Sequence, residues 1–163
     1  MIQRIQSLFL LLAALIGITV IFFPIYYLSV NGFAYDIYMT SIKNLHADIP
    51  PTFKINMVFH FIILISLIII SVGSIFFYKK RVLQMRLCRF GLIVNIVFVI
   101  LLFMFADTIK NKFITELFLK PEQITIAFKA GSILPLIMVV LFFLAGLFIG
   151  KDEKLIRSAD RLR

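Results

Sequence analysis

The chain has 163 residues, 62% of them hydrophobic, with 19 Phe, no Trp and a formal net charge of +9. Soluble domains are about 45–50% apolar, so composition excludes an ordinary soluble fold, and the single cysteine, Cys88, excludes an intrachain disulfide and a cysteine metal cluster. The basic residues flank apolar runs and form no stripe on a soluble domain, which excludes nucleic acid and leaves anionic lipid headgroups as the expected partner.

Met1–Gln6 is a short polar start carrying Arg4, and Ser7–Phe23 is then free of charge. The pair resembles the n- and h-regions of a signal peptide. No small-x-small cleavage site follows, however, so the run is read as a first span over about 7–23. Ala13 and Gly17 form a small-xxx-small pair suited to helix packing. Pro24 ends the helix.

Tyr26–Val30 and Phe33–Met39 are rich in aromatic and β-branched residues and flank Asn31-Gly32, the dipeptide of a two-residue hairpin turn. An isolated hairpin is marginal, so a third strand is expected, and Ile124–Phe128 is the candidate. With no Trp present, Tyr26, Tyr27, Tyr35, Tyr38 and Tyr78 are left as the interfacial aromatic anchors. Thr40–Thr52 reads as a polar connector with His46, Asp48 and the Pro50-Pro51 break. The hairpin's free edge is a candidate for strand addition by a partner.

The second span covers about 55–78 and contains His60, one turn inside its outer end. A proton-relay role for His60 would need an intramembrane carboxylate, and no span contains one, so it reads as an interfacial or hydrogen-bonded residue.

The segment 78–90 carries five basic residues, Lys79, Lys80, Arg81, Arg86 and Arg89, and no acid. Between two apolar runs, such a cluster marks a cytoplasmic turn, assigned to 79–86. Leu83, Leu87, Phe90 and Val94 recur at helical spacing, so a helix starts there and enters the membrane. The third span is about 87–105. Asn95 is its polar interior residue, expected to clasp a neighbouring helix. Asp107–Lys120 extends that helix outside, and Pro121 breaks it.

The fourth span, about 130–149, carries Pro135 and, at its end, a Gly146/Gly150 pair. Residues 150–163 continue as an amphipathic cytoplasmic helix with Arg157, Asp160 and Arg161. With both ends inside, eleven basic residues lie in the cytoplasm and six outside, and every arginine is inside. The expected fold is therefore an all-α membrane protein. It is a single-domain four-helix transmembrane bundle, N-in/C-in, with a small extracytoplasmic β-hairpin, of two or three strands, after the first helix.

Three stretches, Met1–Gln6, Leu83–Arg89 and Lys151–Glu153 with Arg157–Arg163, together resemble a "domain of unknown function" family of small four-span proteins from the Bacteroidota. That resemblance covers the whole chain. It implies a multi-pass protein of the inner membrane in a two-membrane bacterium and implies no activity. The layout also resembles that of the claudins, an analogy of fold alone.

The expected function is a non-catalytic accessory or scaffold subunit of a larger membrane complex, with a protein partner in the membrane or a homo-oligomer. A small oligomeric transporter or channel is the second reading, and a membrane enzyme or lipid-binding protein the third. No residue is assigned to catalysis, a cofactor or a metal. The candidate interaction or lipid-headgroup surface is Arg4, Lys79, Lys80, Arg81, Arg86, Arg89, Arg157, Asp160 and Arg161, with His60 and Asn95 as intramembrane polar contacts. Cys88 beside Arg86 and Arg89 reads as a packing residue before a reactive or acylated one.

Overall fold

The computed structural model describes residues 3–30, 33–45, 55–117 and 123–161. Four helices, α1 (Gln3–Phe22), α2 (Val58–Phe76), α3 (Arg81–Leu117) and α4 (Ala130–Arg161), stand around a common core. Each neighbours the next in chain order, and α4 closes the ring against α1. All four are long and apolar enough to cross a membrane, and only 28–33% of each apolar window is buried inside the protein. Leu8, Leu11, Leu15, Ile62, Ile69, Ile93, Ile100, Val140 and Phe143 are among the side chains left exposed. An outward apolar surface on every helix suits lipid, whereas in water it would be a patch far larger than monomers tolerate.

The inner core runs through Leu10, Ala13, Leu64, Leu67, Phe98, Leu102, Met138, Phe142 and Ala145. Ala13 is fully buried, and a Cβ on Gly17 would lie 2.8 Å from Ile68 Cγ1, so the small pair in α1 seats α2 closely. The α2–α3 connection is short, and the helix expected to begin within the 79–86 segment is there. A 3-10 turn at Phe77–Lys79 closes on the Lys80 N–H, and α3 starts at Arg81. At 37 residues α3 is about 55 Å long at 1.5 Å per residue. That exceeds the roughly 30 Å hydrocarbon core, so the helix continues past the bundle as a support for the sheet.

The expected hairpin is half of a larger unit. Strands β1 (Tyr26–Val30), β2 (Phe33–Ile37), β3 (Ile42–Asn44) and β4 (Ile124–Phe128) form one antiparallel sheet in the order β3-β2-β1-β4. Asn31-Gly32 lies outside the described residues, but Val30 faces Phe33, the register a two-residue turn imposes. The candidate third strand pairs with β1 along its whole length. The fourth, β3, corrects the two-to-three-strand expectation: part of the supposed polar connector pairs with β2. Both edges of the hairpin are thus occupied, and its free edge is not there to recruit a partner strand.

One sheet face lies on the end of α3. The Tyr26 hydroxyl donates to the Leu102 carbonyl at 2.5 Å, the Tyr35 and Phe113 rings meet at 5.6 Å, and Phe103 meets Phe128 at 4.7 Å. Ile109 and Phe113 on the extended part of α3 are buried by this contact. Burial pushes the Tyr26 phenol well above its ordinary pKa, because the phenolate would be desolvated. The second joint is where α1 hands over to the sheet: the Gly131 N–H donates to the Pro24 carbonyl and the Lys129 N–H to that of Ile25, both at 2.9 Å.

Candidate functional site at the basic end of the bundle

Away from the sheet, α3 begins and α4 ends, and their antiparallel alignment brings two sequence-distant groups together. A cavity of about 440 Å³ is lined by Lys80, Arg81, Val82, Leu83 and Arg86 with Glu153 of α4. Arg86 lies in the second turn of α3 and lines the same cavity as Lys80 and Arg81. One turn further, Arg89 directs Nη2 at Met85 Sδ, 3.6 Å away. A second cavity of about 230 Å³ follows on the same helix pair, lined by Cys88, Arg89, Leu92, Phe142, Phe143, Gly146 and Leu147. Because the helices are antiparallel, Leu92 falls near Phe142 and Phe143, Cys88 and Arg89 near Gly146 and Leu147, and Arg86 near Glu153. The two cavities are successive rungs of one seam.

Asp152 of α4 is buried and accepts a hydrogen bond from the Gln6 side-chain amide. It thus ties the start of α1 to α4. Gln84 is buried at the same end, and the stacked rings of Phe9 and Phe148, 5.6 Å apart, continue the α1–α4 contact. Arg81 and Arg86 line the first cavity and Arg89 the second. The side chains of Arg4, Lys79, Arg157, Asp160 and Arg161 lie outside those described. Cys88 is 1% exposed at the floor of the second cavity, a packing position.

The two polar residues expected inside the spans differ in quality. Asn95 Nδ2 donates to the Pro135 carbonyl of α4 at 3.3 Å, the interhelical clasp expected of a buried amide, while its Oδ1 has no partner. Ser71 makes a similar link, its hydroxyl donating to the Leu10 carbonyl at 2.6 Å. His60 is buried against the Phe105 ring at 4.5 Å. Neither imidazole nitrogen makes a hydrogen bond of normal geometry, although the Leu101 backbone faces it. A buried polar group without a partner costs about 1–3 kcal/mol. His60→Leu is therefore expected to leave thermal stability in detergent unchanged or to raise it. A drop of several degrees would show that the ring has a partner worth keeping.

Sequence reasoning missed the ion pair at the sheet. Lys129 Nζ donates to both Asp36 carboxylate oxygens, at 2.6 and 2.8 Å, and lies 5.1 Å from the centre of the Tyr27 ring. Asp36 is 6% exposed. The available signal was chemical: a lone acid in an apolar strand needs a counter-charge, and Lys129 ends the other β-prone run. Among the described residues, no group of three or more His, Cys, Asp or Glu side chains lies close enough to hold a metal ion.

Residues 2–162 match the family described as a domain of unknown function, DUF4293, and the chain belongs to that family. No curated protein matches it in sequence.

Proposed function

We propose that this member of the DUF4293 family is a non-catalytic, multi-pass protein of the inner membrane of a two-membrane bacterium. In this reading both ends lie in the cytoplasm, the sheet lies outside, and the protein is an accessory or scaffold subunit of a larger membrane complex. The observation that carries the reading is how the bundle uses its polar groups. Ser71 and Asn95 are spent on links between helices, Cys88 is buried, and Asp152 is tied to Gln6. The outward surfaces are apolar along the spans and basic at one end. Such a molecule offers its neighbours surfaces, and His60, the buried histidine of α2, has no carboxylate beside it among the described residues of the spans with which to relay a proton.

Orientation follows from the same chemistry. The basic end gathers Lys80, Arg81, Arg86 and Arg89, and such clusters are retained in the cytoplasm. The sheet end is joined to the helices through the Asp36–Lys129 pair and the Tyr26–Leu102 bond, a rigid platform in place of a loose loop.

The test is extraction of the tagged protein from native membrane in mild detergent after cross-linking. A membrane partner at constant stoichiometry is expected in the washed fraction. Recovery of the protein alone, together with solute flux in liposomes that Asn95→Leu abolishes, would replace the scaffold reading with transport.

A further inference from the structure

The geometry points to the α3–α4 seam as a binding site for one anionic glycerophospholipid, with its phosphate among Lys80, Arg81, Arg86 and Arg89 and an acyl chain along Gly146. This deepens the membrane reading above, since it rests on the basic end lying at the cytoplasmic headgroup level. Three features of the seam combine to select such a ligand.

The first is charge. Among the described residues, the outer cavity has Lys80, Arg81 and Arg86 on its walls against one carboxylate, that of Glu153. Guanidinium groups match phosphate oxygens in a bidentate fork, and an ammonium adds a point charge. The second is the change of character along the seam. The inner cavity is walled by Leu92, Phe142, Phe143 and Leu147, with Cys88 at its base. Leu92 stands six residues beyond Arg86, about 9 Å along the helix at 1.5 Å per residue. That is on the scale of the headgroup layer, roughly 5–8 Å on each side of the hydrocarbon. A ligand with its anion at Arg86 therefore reaches acyl depth at Leu92.

The third feature is space. A Cβ placed on Gly146 would meet nothing within 4 Å. The glycine is thus not a contact between helices of this chain, and it leaves a trough in α4 where a chain can lie. Arg89 stands at the junction and lines the inner cavity.

Other occupants fit less well. A free phosphate would use the cations and leave the apolar trough without purpose. A second copy of the chain docked on this seam would set two clusters of arginine and lysine against each other, and like charges in juxtaposition cost several kcal/mol.

The experiment reconstitutes the full chain in nanodiscs with equal amounts of phosphatidylglycerol and phosphatidylcholine. The protein is then released into mild detergent and its bound lipid counted by native mass spectrometry. The wild type is expected to retain one phosphatidylglycerol with at least a tenfold preference. Arg81→Gln with Arg86→Gln should reduce that preference to near unity while leaving some lipid bound. Gly146→Leu, which fills open space and should fold normally, should lower occupancy by either lipid.

Equal retention of the two lipids by the wild type would overturn the proposal. So would loss of the bound phosphatidylglycerol to millimolar inorganic phosphate, which would make this an anion site alone. A dimer abolished by Gly146→Leu with no lipid retained would assign the seam to a second copy. Each of these outcomes leaves a folded four-helix protein in the disc. Failure of the membrane reading would look different, as protein that never enters the disc.

Discussion

Replacing Gly131 with alanine is expected to lower stability by about 2–4 kcal/mol, the sum of overpacking and a weakened backbone hydrogen bond. A Cβ there would lie 2.6 Å from the Pro24 oxygen and 2.9 Å from that of Phe23. Both are backbone atoms at the end of α1, so no side chain can swing aside. The Gly131 N–H also donates to the Pro24 carbonyl at 2.9 Å, and any shift that relieves the clash stretches that bond. Next to it Lys129 is bonded to Ile25, so the strain passes into the β1–β4 pairing. Thermal unfolding of the purified protein in detergent measures the loss. Gly146→Ala is the internal control: its Cβ meets nothing, and alanine improves helix propensity by about 1 kcal/mol, so it should be neutral or stabilising. Equal melting temperatures for the two variants would remove the close approach of α1 and α4 from the account.

The second large effect is expected at the ion pair. Lys129→Met removes the group that donates to both oxygens of a buried carboxylate. Breaking a fully buried pair costs about 3–5 kcal/mol. Lys129 is itself 35% exposed, so the loss here is taken as about 1.5–3 kcal/mol after allowance for solvent screening. Asp36→Ala on its own should cost less, since it strands only a half-exposed ammonium that can turn to water. The double variant should recover part of the Lys129→Met loss, because no unpaired carboxylate is left. A double variant whose loss equals the sum of the two single losses would show that the pair carries no coupling.

The sequence made the helices legible for a simple reason. In lipid every backbone group must be satisfied within the segment, so long uncharged runs can be little else than helices. Asn31-Gly32 exposed the hairpin, and the β-prone run Ile124–Phe128 exposed its third strand. Ile42-Lys43-Asn44 gave no such signal: three residues with a lysine at the centre are held by pairing with β2, not by a pattern of their own. The site divided in the same way. The cations of 80–89 form a local cluster that can be counted along the chain. The trough beside Gly146 depends on which rung of α4 faces which rung of α3, and Asp36–Lys129 joins positions 93 residues apart. Partner choice at that distance is set by the assembled fold. Asp152 illustrates the point, since its bond comes from Gln6 of α1, 146 positions away.

The central claim is that the four helices cross the membrane with the basic seam inside and the sheet outside. Lys43 and Lys80 are both exposed and lie at opposite ends of the molecule. Each is replaced by cysteine in turn, in a Cys88→Ala background, and spheroplasts are treated with a membrane-impermeant maleimide before and after permeabilisation. Lys43→Cys should label in intact spheroplasts, and Lys80→Cys only once the membrane is opened. Labelling of Lys80→Cys from outside, or of both positions alike, would contradict the account.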